Sequence, residues 1–388
     1  MVPALRPGSI LEDILIITSR KTVAGLATLG ASALLLAGCA APPPEAGEEP
    51  TGEAPGGEAS DFVPCMVSDA GGFDDNSFNE LGLTGLERAS EDLGATPITV
   101  ESADESAYAP NITNLVDQGC NLIVTVGFLL SEATIEAANA NPDVNFAIID
   151  DQLDADQDGA PDVENGKPIV FDTAQAAFLA GYAAASYSSS GVVGTFGGVQ
   201  IPPVTIFMDG FYDGVQYWNE ESGESVEVVG WDKENGSFTG GFAAGTEARQ
   251  AAQTLIDQGA DVILPVGGPI YTSAAEAIRD ANEGGAEIAL IGVDADVYET
   301  DPSVADLLLT SIRKQVDAGV EEVVLAAAGG NFDNSLYIGT LENEGVGLAP
   351  FHDFEDKVDP ELQSQIDELR QMIIAGDITV ESPSSPQQ

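Results

Sequence analysis

A short stretch near residue 70 places aromatic and acidic side chains directly after an apolar run. In VSDAGGFDDNSFNELGLTGLE, residues 67–87, the run ends at an aspartate and two glycines, and a helical pattern follows. Aromatic rings can stack on a flat ligand, and carboxylates accept hydrogen bonds from its hydroxyl groups. Some of these residues also suit a helix start, with Asp75 or Ser77 as N-cap and Phe78 as a core anchor. The candidate ligand contacts in this stretch are Asp69, Phe73, Asp74, Phe78 and Asn79.

Similar residues stand at the ends of other predicted strands. Gly127-Phe128 and Gly267-Gly268 end two strands that share a local pattern, DQGCNLIVTVG and DQGADVILPVG. Asp150 ends FAIID and Asp294 ends IGVD. In open α/β sheets, ligands bind at the carboxyl ends of the strands, so these residues are predicted to meet at one site.

The sequence lacks the signatures of common enzymes. It contains one histidine, His352, and no G-x-S-x-G or P-loop motif, and its Cys and His residues do not have zinc-binding spacing. An acidic loop, DADQDGAPDVEN (154–165), begins like a calcium loop and offers Asp154, Asp156 and Asp158 as oxygen ligands. The alternative for this loop is a solvated acidic insertion without a metal, and no other cofactor is expected.

The composition excludes some partners. Among 388 residues, 65 acids stand against 12 Lys and Arg, giving a formal net charge of −53. Nucleic acids and anionic membrane surfaces bind clustered cations, so neither is expected to bind this surface. Screening by salt would offset the self-repulsion of such a chain, which suggests a high-salt habitat.

The N-terminal region reads as an export signal with a lipid anchor. Arg20-Lys21 precede an apolar run over 22–40. The charged start, a core of about 15 apolar or small residues and the small residues at its end describe a secretory signal rather than a spanning helix. Leu36-Ala37-Gly38-Cys39 matches a lipobox, which predicts a signal peptide over 1–38 and a lipid on Cys39. Residues 39–60 are rich in Pro, Gly and Glu and are predicted to be a disordered tether. The expected location is the extracytoplasmic face of the cell membrane.

From residue 62 onward, strand and helix patterns alternate, which predicts parallel sheets flanked by helices. Helical patterns cover 77–94, 131–142, 174–188, 211–222, 246–259, 273–284 and 360–378. Cys65 and Cys120 each begin a strand, so they either form a disulfide or are two small buried residues. The predicted strands are 62–68, 97–102, 121–127, 145–150, 169–171, 191–197, 226–231, 261–267 and 288–294.

Several segments together resemble the basic membrane protein (BMP) family of lipoproteins. They are residues 69–87, VGF (126–128), NPDVNFAIID (141–150), QAAFLAGYAAA (175–185), IGVDAD (291–296) and LTSIRKQVDAGV (309–320). The resemblance implies a substrate-binding component of an ABC importer, a monomer that hands a nucleoside, by preference a purine nucleoside, to a permease and its ATPase.

The resemblance also implies a type I periplasmic-binding-protein-like α/β fold with two lobes and several chain crossings. The first lobe is expected over 62–171 and 295–329, the second over 172–294 and 330–381, and a tail over 382–388. The resemblance also makes Lys314 the partner of Asp294 in the cleft, where Asp294 would accept hydrogen bonds from ribose hydroxyls. Phe78 would stack on the base, and Phe207 or Phe211 would add a ring from the second lobe, with Tyr271 as a substitute. The alternatives are a calcium-dependent nucleoside hydrolase and a surface lipoprotein that senses a ligand without a transporter.

Overall fold

The computed structural model describes residues 61–156 and 158–386, all of which belong to one compact unit. The predicted signal peptide, the lipidated Cys39 and the tether lie outside the described residues. In the described part of the chain, no helix is both long and apolar enough to cross a membrane.

The first sheet is parallel throughout, in the order β11-β5-β4-β3-β1-β2. Neighbouring residues of its strands belong to different cores: Met66 and Val124 to one, Cys65 and Ile123 to another. Both faces of the sheet are therefore buried, as the short, continuously apolar strands predict. Its strands are β1 (Pro64–Val67), β2 (Ile98–Val100), β3 (Leu122–Val126), β4 (Asn145–Ile149), β5 (Gly166–Phe171) and β11 (Tyr337–Gly339).

The second sheet has the order β12-β10-β9-β8-β6-β7 and is parallel except where β12 pairs with β10. It repeats the arrangement of the first sheet, so the two lobes are built alike. Its strands are β6 (Val192–Gly197), β7 (Glu227–Val229), β8 (Val262–Val266), β9 (Ala289–Asp294), β10 (Leu308–Lys314) and β12 (Val346–Leu348).

Helices cover both sheets, and α4 packs closely on α5. A side chain at Gly181 would meet the backbone oxygen of Phe211 at 2.1 Å, so glycine is what allows this approach. The helix α5 begins at Pro202 and not near residue 211, because Pro202-Pro203 suit a first helical turn. The helices are α1 (Phe78–Leu93), α2 (Tyr108–Asp117), α3 (Ser131–Ala140), α4 (Thr173–Tyr187), α5 (Pro202–Ser222), α6 (Thr246–Asp257), α7 (Ile270–Glu283), α8 (Val297–Thr300), α9 (Val316–Ala328) and α10 (Leu362–Ala375).

The predicted lobe limits are wrong at two strands. The strand β10, expected in the first lobe, is a buried strand of the second sheet between β9 and β12. The strand β11, expected in the second lobe, extends the first sheet beside β5. The chain therefore passes from the first lobe to the second after β5, returns after β10 so that α9 packs on α1, and crosses again between β11 and β12.

The two cysteines of the first lobe form a disulfide. Cys65 lies in β1 and Cys120 directly before β3, and their Cα atoms are 6.0 Å apart. Since β1 and β3 are paired neighbours, the first of the two alternatives for these cysteines is confirmed.

Candidate ligand-binding site

The carboxyl ends of strands from both sheets border one cleft of about 540 Å³, a volume that includes its open mouth. The first lobe supplies residues after β1, β3 and β4, and the second supplies residues after β8 and at the ends of β9 and β10. Ten of the twelve predicted contacts line the cleft: Asp69, Phe78, Asn79, Gly127, Phe128, Asp150, Phe207, Gly268, Asp294 and Lys314.

Lys314 is buried at the centre of this group. Its ammonium nitrogen lies 2.6 Å from Asp150 Oδ2 and 3.4 Å from Asp294 Oδ1, so the partner of Lys314 is Asp150 as much as the expected Asp294. Burial alone would lower the pKa of Lys314, but the two carboxylates outweigh burial and raise that pKa. The ammonium also lies 5.1 Å from the ring centre of Phe78 and 5.0 Å from that of Phe207, within the range of cation–π attraction.

Asp150 and Asp294 occupy equivalent places in the two lobes. Each directly follows or ends its strand, and each has a φ of +68°, a left-handed conformation that is uncommon for residues other than glycine. Burial raises the pKa of Asp150, and burial raises the pKa of Asp294 to about 6, although Lys314 opposes both shifts. Such paired backbone strain at a cleft is typical of functional sites.

One oxygen of Asp294 is buried without a hydrogen bond. Oδ2 accepts a long bond of 3.5 Å from Ser77 Oγ, whereas Oδ1 has only the ammonium of Lys314 at 3.4 Å, outside hydrogen-bond geometry. The side-chain oxygen of Asn79 is also buried without a donor. Both residues line the cleft, so it presents two buried acceptors to a molecule that carries donors.

Asp69 and Asn79 form a second polar group in the first lobe. Asp69 Oδ1 accepts hydrogen bonds from Gly71 N at 2.8 Å and from Asn79 Nδ2 at 2.9 Å. Burial raises the pKa of Asp69 to about 6 despite these bonds, which favour the charged form. The carboxyl group is therefore close to its titration range near neutral pH.

The start of α1 is capped by Asp75 rather than by Ser77. Asp75 Oδ1 accepts from the backbone of Ser77 and Glu80 at 3.0 and 3.1 Å, and Oδ2 accepts from Asn79 N at 2.9 Å. The hydroxyl of Ser77 instead donates to Val293 O in the second lobe at 3.0 Å. Capping fixes Phe78 and Asn79 at the cleft, so the structural and ligand-binding interpretations of this stretch are compatible.

The two lobes touch directly beside the cleft. Besides the bond from Ser77, the hydroxyl of Thr300, at the end of α8, donates to Asn76 O at 2.7 Å. Both bonds join the loop before α1 to the segment around the end of β9. The structure therefore shows the lobes closed on this side.

Two predicted contacts do not line the cleft. Phe73 packs against the core from outside, and its backbone N donates to Glu101 Oε1 at 2.8 Å, while Asp74 is exposed. Gly72, with a φ of +71°, turns the chain between Asp69 and these residues. Phe73 and Asp74 therefore lie outside the cleft in this arrangement, and a contact of either with the ligand stays a prediction.

The further second-lobe rings suggested by the sequence are also buried elsewhere. Phe211 lies in the main core, and Tyr271 lies in the core behind the second sheet, where its hydroxyl donates to Asp301 Oδ2 at 2.9 Å. Phe207 does line the cleft, but only 2% of it is exposed.

Phe242 is a cleft residue that the sequence interpretation missed. It lies in the loop GSFTGGFAAG, whose Thr239 and Gly240 donate backbone hydrogen bonds to Gly197 and Gly198 at the end of β6. A side chain at Gly198 or Gly267 would meet this ring at 2.4 or 2.7 Å. Those glycines leave the space that the ring fills. The one feature of the sequence that could have identified Phe242 is an aromatic residue in a loop together with glycines at the ends of two strands.

The acidic loop brings its three predicted ligands together. Carboxylate oxygens of Asp154, Asp156 and Asp158 lie within 4.8 Å of one another. Asn165, at the position of the last ligand in a calcium loop, donates instead to the backbone oxygens of Ala138, Asn141 and Val144. Calcium binding here stays a prediction, which calorimetric titration of calcium can test.

Two similar α/β lobes, joined by three chain crossings and closing on a cleft at their strand ends, form a type I periplasmic-binding-protein-like fold. A solved solute-binding protein of an ABC transporter system from Aeropyrum pernix K1 superposes with a TM-score of 0.73 at 25% identity, over 83% of this chain and 94% of that one. Residues 62–384 match the family model Bmp, described as ABC transporter substrate-binding protein PnrA-like. The chain belongs to this family.

Relatives of known name agree with this assignment. The "ABC transporter nucleoside-binding protein BmpA" of Lactococcus lactis is 27% identical over 377 residues, 94% of this chain and 99% of the relative. "Basic membrane protein A" of Borreliella burgdorferi is 30% identical over 314 residues, covering 80% and 86%. This chain is thus an extracytoplasmic, membrane-associated binding component for a small solute, and it is not an enzyme.

Proposed function

We propose that this protein captures a nucleoside, by preference a purine nucleoside, and delivers it to an ABC permease with its ATPase. The observation that carries the proposal is a pair of buried acceptors without a hydrogen bond, Asn79 Oδ1 and Asp294 Oδ1, on residues that line a cleft with aromatic rings. Asp294 Oδ1 has only the ammonium of Lys314, at 3.4 Å. A buried acceptor without a donor costs free energy that a ligand hydroxyl or amine would recover. The name of the Lactococcus lactis relative supports the same ligand class.

The chemistry of the cleft matches the parts of a nucleoside. The base is flat and apolar on its faces, and Phe78 and Phe242 offer rings on opposite lobes. Ribose carries vicinal hydroxyls, which can donate hydrogen bonds to Asp294 and Asp150 while Lys314 donates to a ribose oxygen. Each polar contact strengthens when the lobes exclude water.

Transport then follows from closure of the lobes. The open form binds the nucleoside on one lobe, and contacts from the other lobe are made only on closure. Those contacts supply the ligand-dependent free energy that favours the closed form, which the permease recognises. A lipid on Cys39 and the tether over 39–60 keep the folded part within reach of the permease.

Mass spectrometry of small molecules released from gently purified protein tests the ligand. A nucleoside recovered in stoichiometric amount is the expected result, whereas a bound sugar or amino acid without any nucleoside contradicts the proposal. The anchor is tested separately by labelling cells with a radioactive fatty acid, which should be incorporated into the wild type and not into Cys39→Ser. Equal labelling of the two proteins would contradict lipidation at Cys39.

A sensor without a transporter shares the same site and fold. Uptake of labelled nucleoside by cells that carry or lack the gene separates the two functions. Loss of uptake without the protein is expected, and unchanged uptake favours the sensor.

A further inference from the structure

The segment Glu381–Pro386, here called the C-terminal strap, follows α10 and lies against α5. The sequence suggested only a tail over 382–388. The hydrogen bonds of the strap, however, join it to the second lobe or to the hinge. Lys233 Nζ donates to Glu381 O at 3.0 Å, Ser382 Oγ to Asp209 Oδ2 at 2.5 Å, and Ser385 Oγ to Asp172 Oδ1 at 3.0 Å, while the hydroxyls of Ser384 and Thr205 are 2.7 Å apart.

The contact with Asp209 makes the strap part of the folded structure. Asp209 is only 2% exposed, and its other oxygen accepts from Trp231 Nε1 at 2.9 Å. Without Ser382, Oδ2 of a buried carboxylate would lose a charge-assisted hydrogen bond, which is costly in a protein interior. Pro383 restricts the backbone beside Ser382 and reduces the entropy lost when the strap is ordered.

The strap holds the helix that forms one wall of the ligand cleft. Thr205 and Asp209, one turn apart on α5, contact the strap. Val204 and Phe207 of the same turns line the cleft. A shift of the start of α5 would therefore move cleft residues directly.

The strap also borders a second cavity that shares lining residues with the ligand cleft. This cavity, of about 1480 Å³ with its open mouth, is lined by Pro383–Pro386 on one side and by Asp151, Gln152 and Asp154 of the first lobe on another. Phe128, Asp150 and Lys314 line both this cavity and the ligand cleft. The strap thus forms a wall of a cavity that lies directly beside the ligand cleft.

The connection at Asp172 extends this role to the hinge. Asp172 stands between β5 of the first lobe and α4 of the second, and its backbone N donates to Gly339 O in β11 at 2.8 Å. The hydroxyl of Ser385 therefore joins the strap to one of the three crossings between the lobes.

We propose that the C-terminal strap is a positioning element of the ligand site, which fixes the start of α5 and restricts ligand exit through the second cavity. The inference rests on the proposed function for its ligand. The strap contacts the helix that lines the cleft and the hinge, and none of its residues lines the ligand cleft, so we expect it to affect ligand release more than association.

Ligand release from the full chain and from a chain that ends at Val380 tests the strap. With labelled adenosine as probe and excess unlabelled adenosine as chase, we expect dissociation from the shortened chain to be at least about tenfold faster, the factor for one lost charge-assisted hydrogen bond. Association should change much less. Equal dissociation rates from two folded proteins would overturn the proposal.

Single substitutions separate positioning from general stability. Ser382→Ala should accelerate release, Ser382→Thr should restore the slow rate because it keeps the hydroxyl, and Ser222→Ala, at the far end of α5, should leave release unchanged. Equal rates for Ser382→Ala and Ser222→Ala would contradict the role of the strap.

A readout without ligand keeps this test distinct from the test of the nucleoside. Failure of the full chain to bind adenosine bears only on the proposed ligand, and amide hydrogen exchange at residues 204–209 then tests the strap by itself. Faster exchange there in the shortened chain and in Ser382→Ala supports the inference, and unchanged exchange overturns it.

Discussion

At the level of single residues, the cleft combines the carboxylates of Asp69, Asp150 and Asp294 with one ammonium group, that of Lys314. Lys314 offsets part of the cost of burying Asp150 and Asp294, but Asp69 has only neutral donors. The closed site therefore keeps strong hydrogen-bond acceptors at the expense of stability, as is common where function requires buried charge.

Replacing Asp69 by Asn should make stability less dependent on pH. The pKa of Asp69 is about 6 in the folded protein, whereas its ordinary value is 3.8. Because the folded state holds the proton more tightly, the contribution of Asp69 to stability falls as pH rises from 3.8 to about 6. The difference in free energy of unfolding, Asp69→Asn minus wild type, should be larger at pH 7.5 than at pH 5 by on the order of 1 kcal/mol. Denaturant unfolding at both pH values measures this, and a pH-independent difference would contradict it.

Removing the ring of Phe242 should weaken binding of a flat ligand. We expect Phe242→Ala to lose about 1–3 kcal/mol of adenosine affinity in calorimetric titrations, the range for one stacked base. Phe238→Ala is the matched control, because Phe238 belongs to the same loop but packs on Trp231 at 5.9 Å between ring centres and does not line the cleft. Equal losses in the two variants would show that the loop, and not the ring at the cleft, matters.

At the level of elements, the site depends on strands that end at one edge of each sheet. The disulfide ties β1, which leads to Asp69, to the start of β3, which leads to Gly127. These two strands carry a large part of the first-lobe site.

Removing the disulfide should destabilise the first lobe. The bond links residues separated by 55 positions, and chain-entropy models assign a loop of that length about 4 kcal/mol. Cys65→Ala with Cys120→Ala should lower the free energy of unfolding by about that amount. A reductant should shift the wild type toward the variant and leave the variant unchanged, and unfolding curves that coincide without reductant would contradict this role.

The alternation of strands and helices was enough to predict β1–β9, and with them the placement of Asp150 and Asp294 each at the carboxyl edge of a sheet. This worked because parallel strands present their carboxyl ends on the same side whatever their order. Strand order itself depends on pairings between residues far apart in the chain, which is why β10 and β11 were assigned to the wrong lobes. Phe242 lies in a glycine-rich loop without periodicity, so only the fold reveals that its ring reaches the cleft.

At the level of the whole molecule, the charge of −53 opposes compact folding. Ion pairs on the described surface, such as Arg279 with Asp306, involve few of the acids. Self-repulsion among the others is long-range and is reduced when salt shortens the screening length from about 10 Å at 0.1 M to about 3 Å at 1 M.

Thermal unfolding should therefore shift upward with salt. We expect a higher melting temperature in 2 M KCl than in 0.1 M KCl, and a similar rise in NaCl because the effect is one of screening. Melting temperatures that do not change with salt would show that the acidic surface is already neutralised by other means.

Calorimetric titration of the ligand-free, folded protein with adenosine tests the central claim most directly, namely that the acceptors at the strand ends hold a ribose while the rings hold a base. The account predicts saturable one-to-one binding of adenosine, weaker binding of 2′-deoxyadenosine and of adenine, and loss of the preference for ribose in Asp294→Asn. No heat with any nucleoside from ligand-free, folded protein, or an Asp294→Asn variant that still prefers adenosine to 2′-deoxyadenosine as the wild type does, would contradict it.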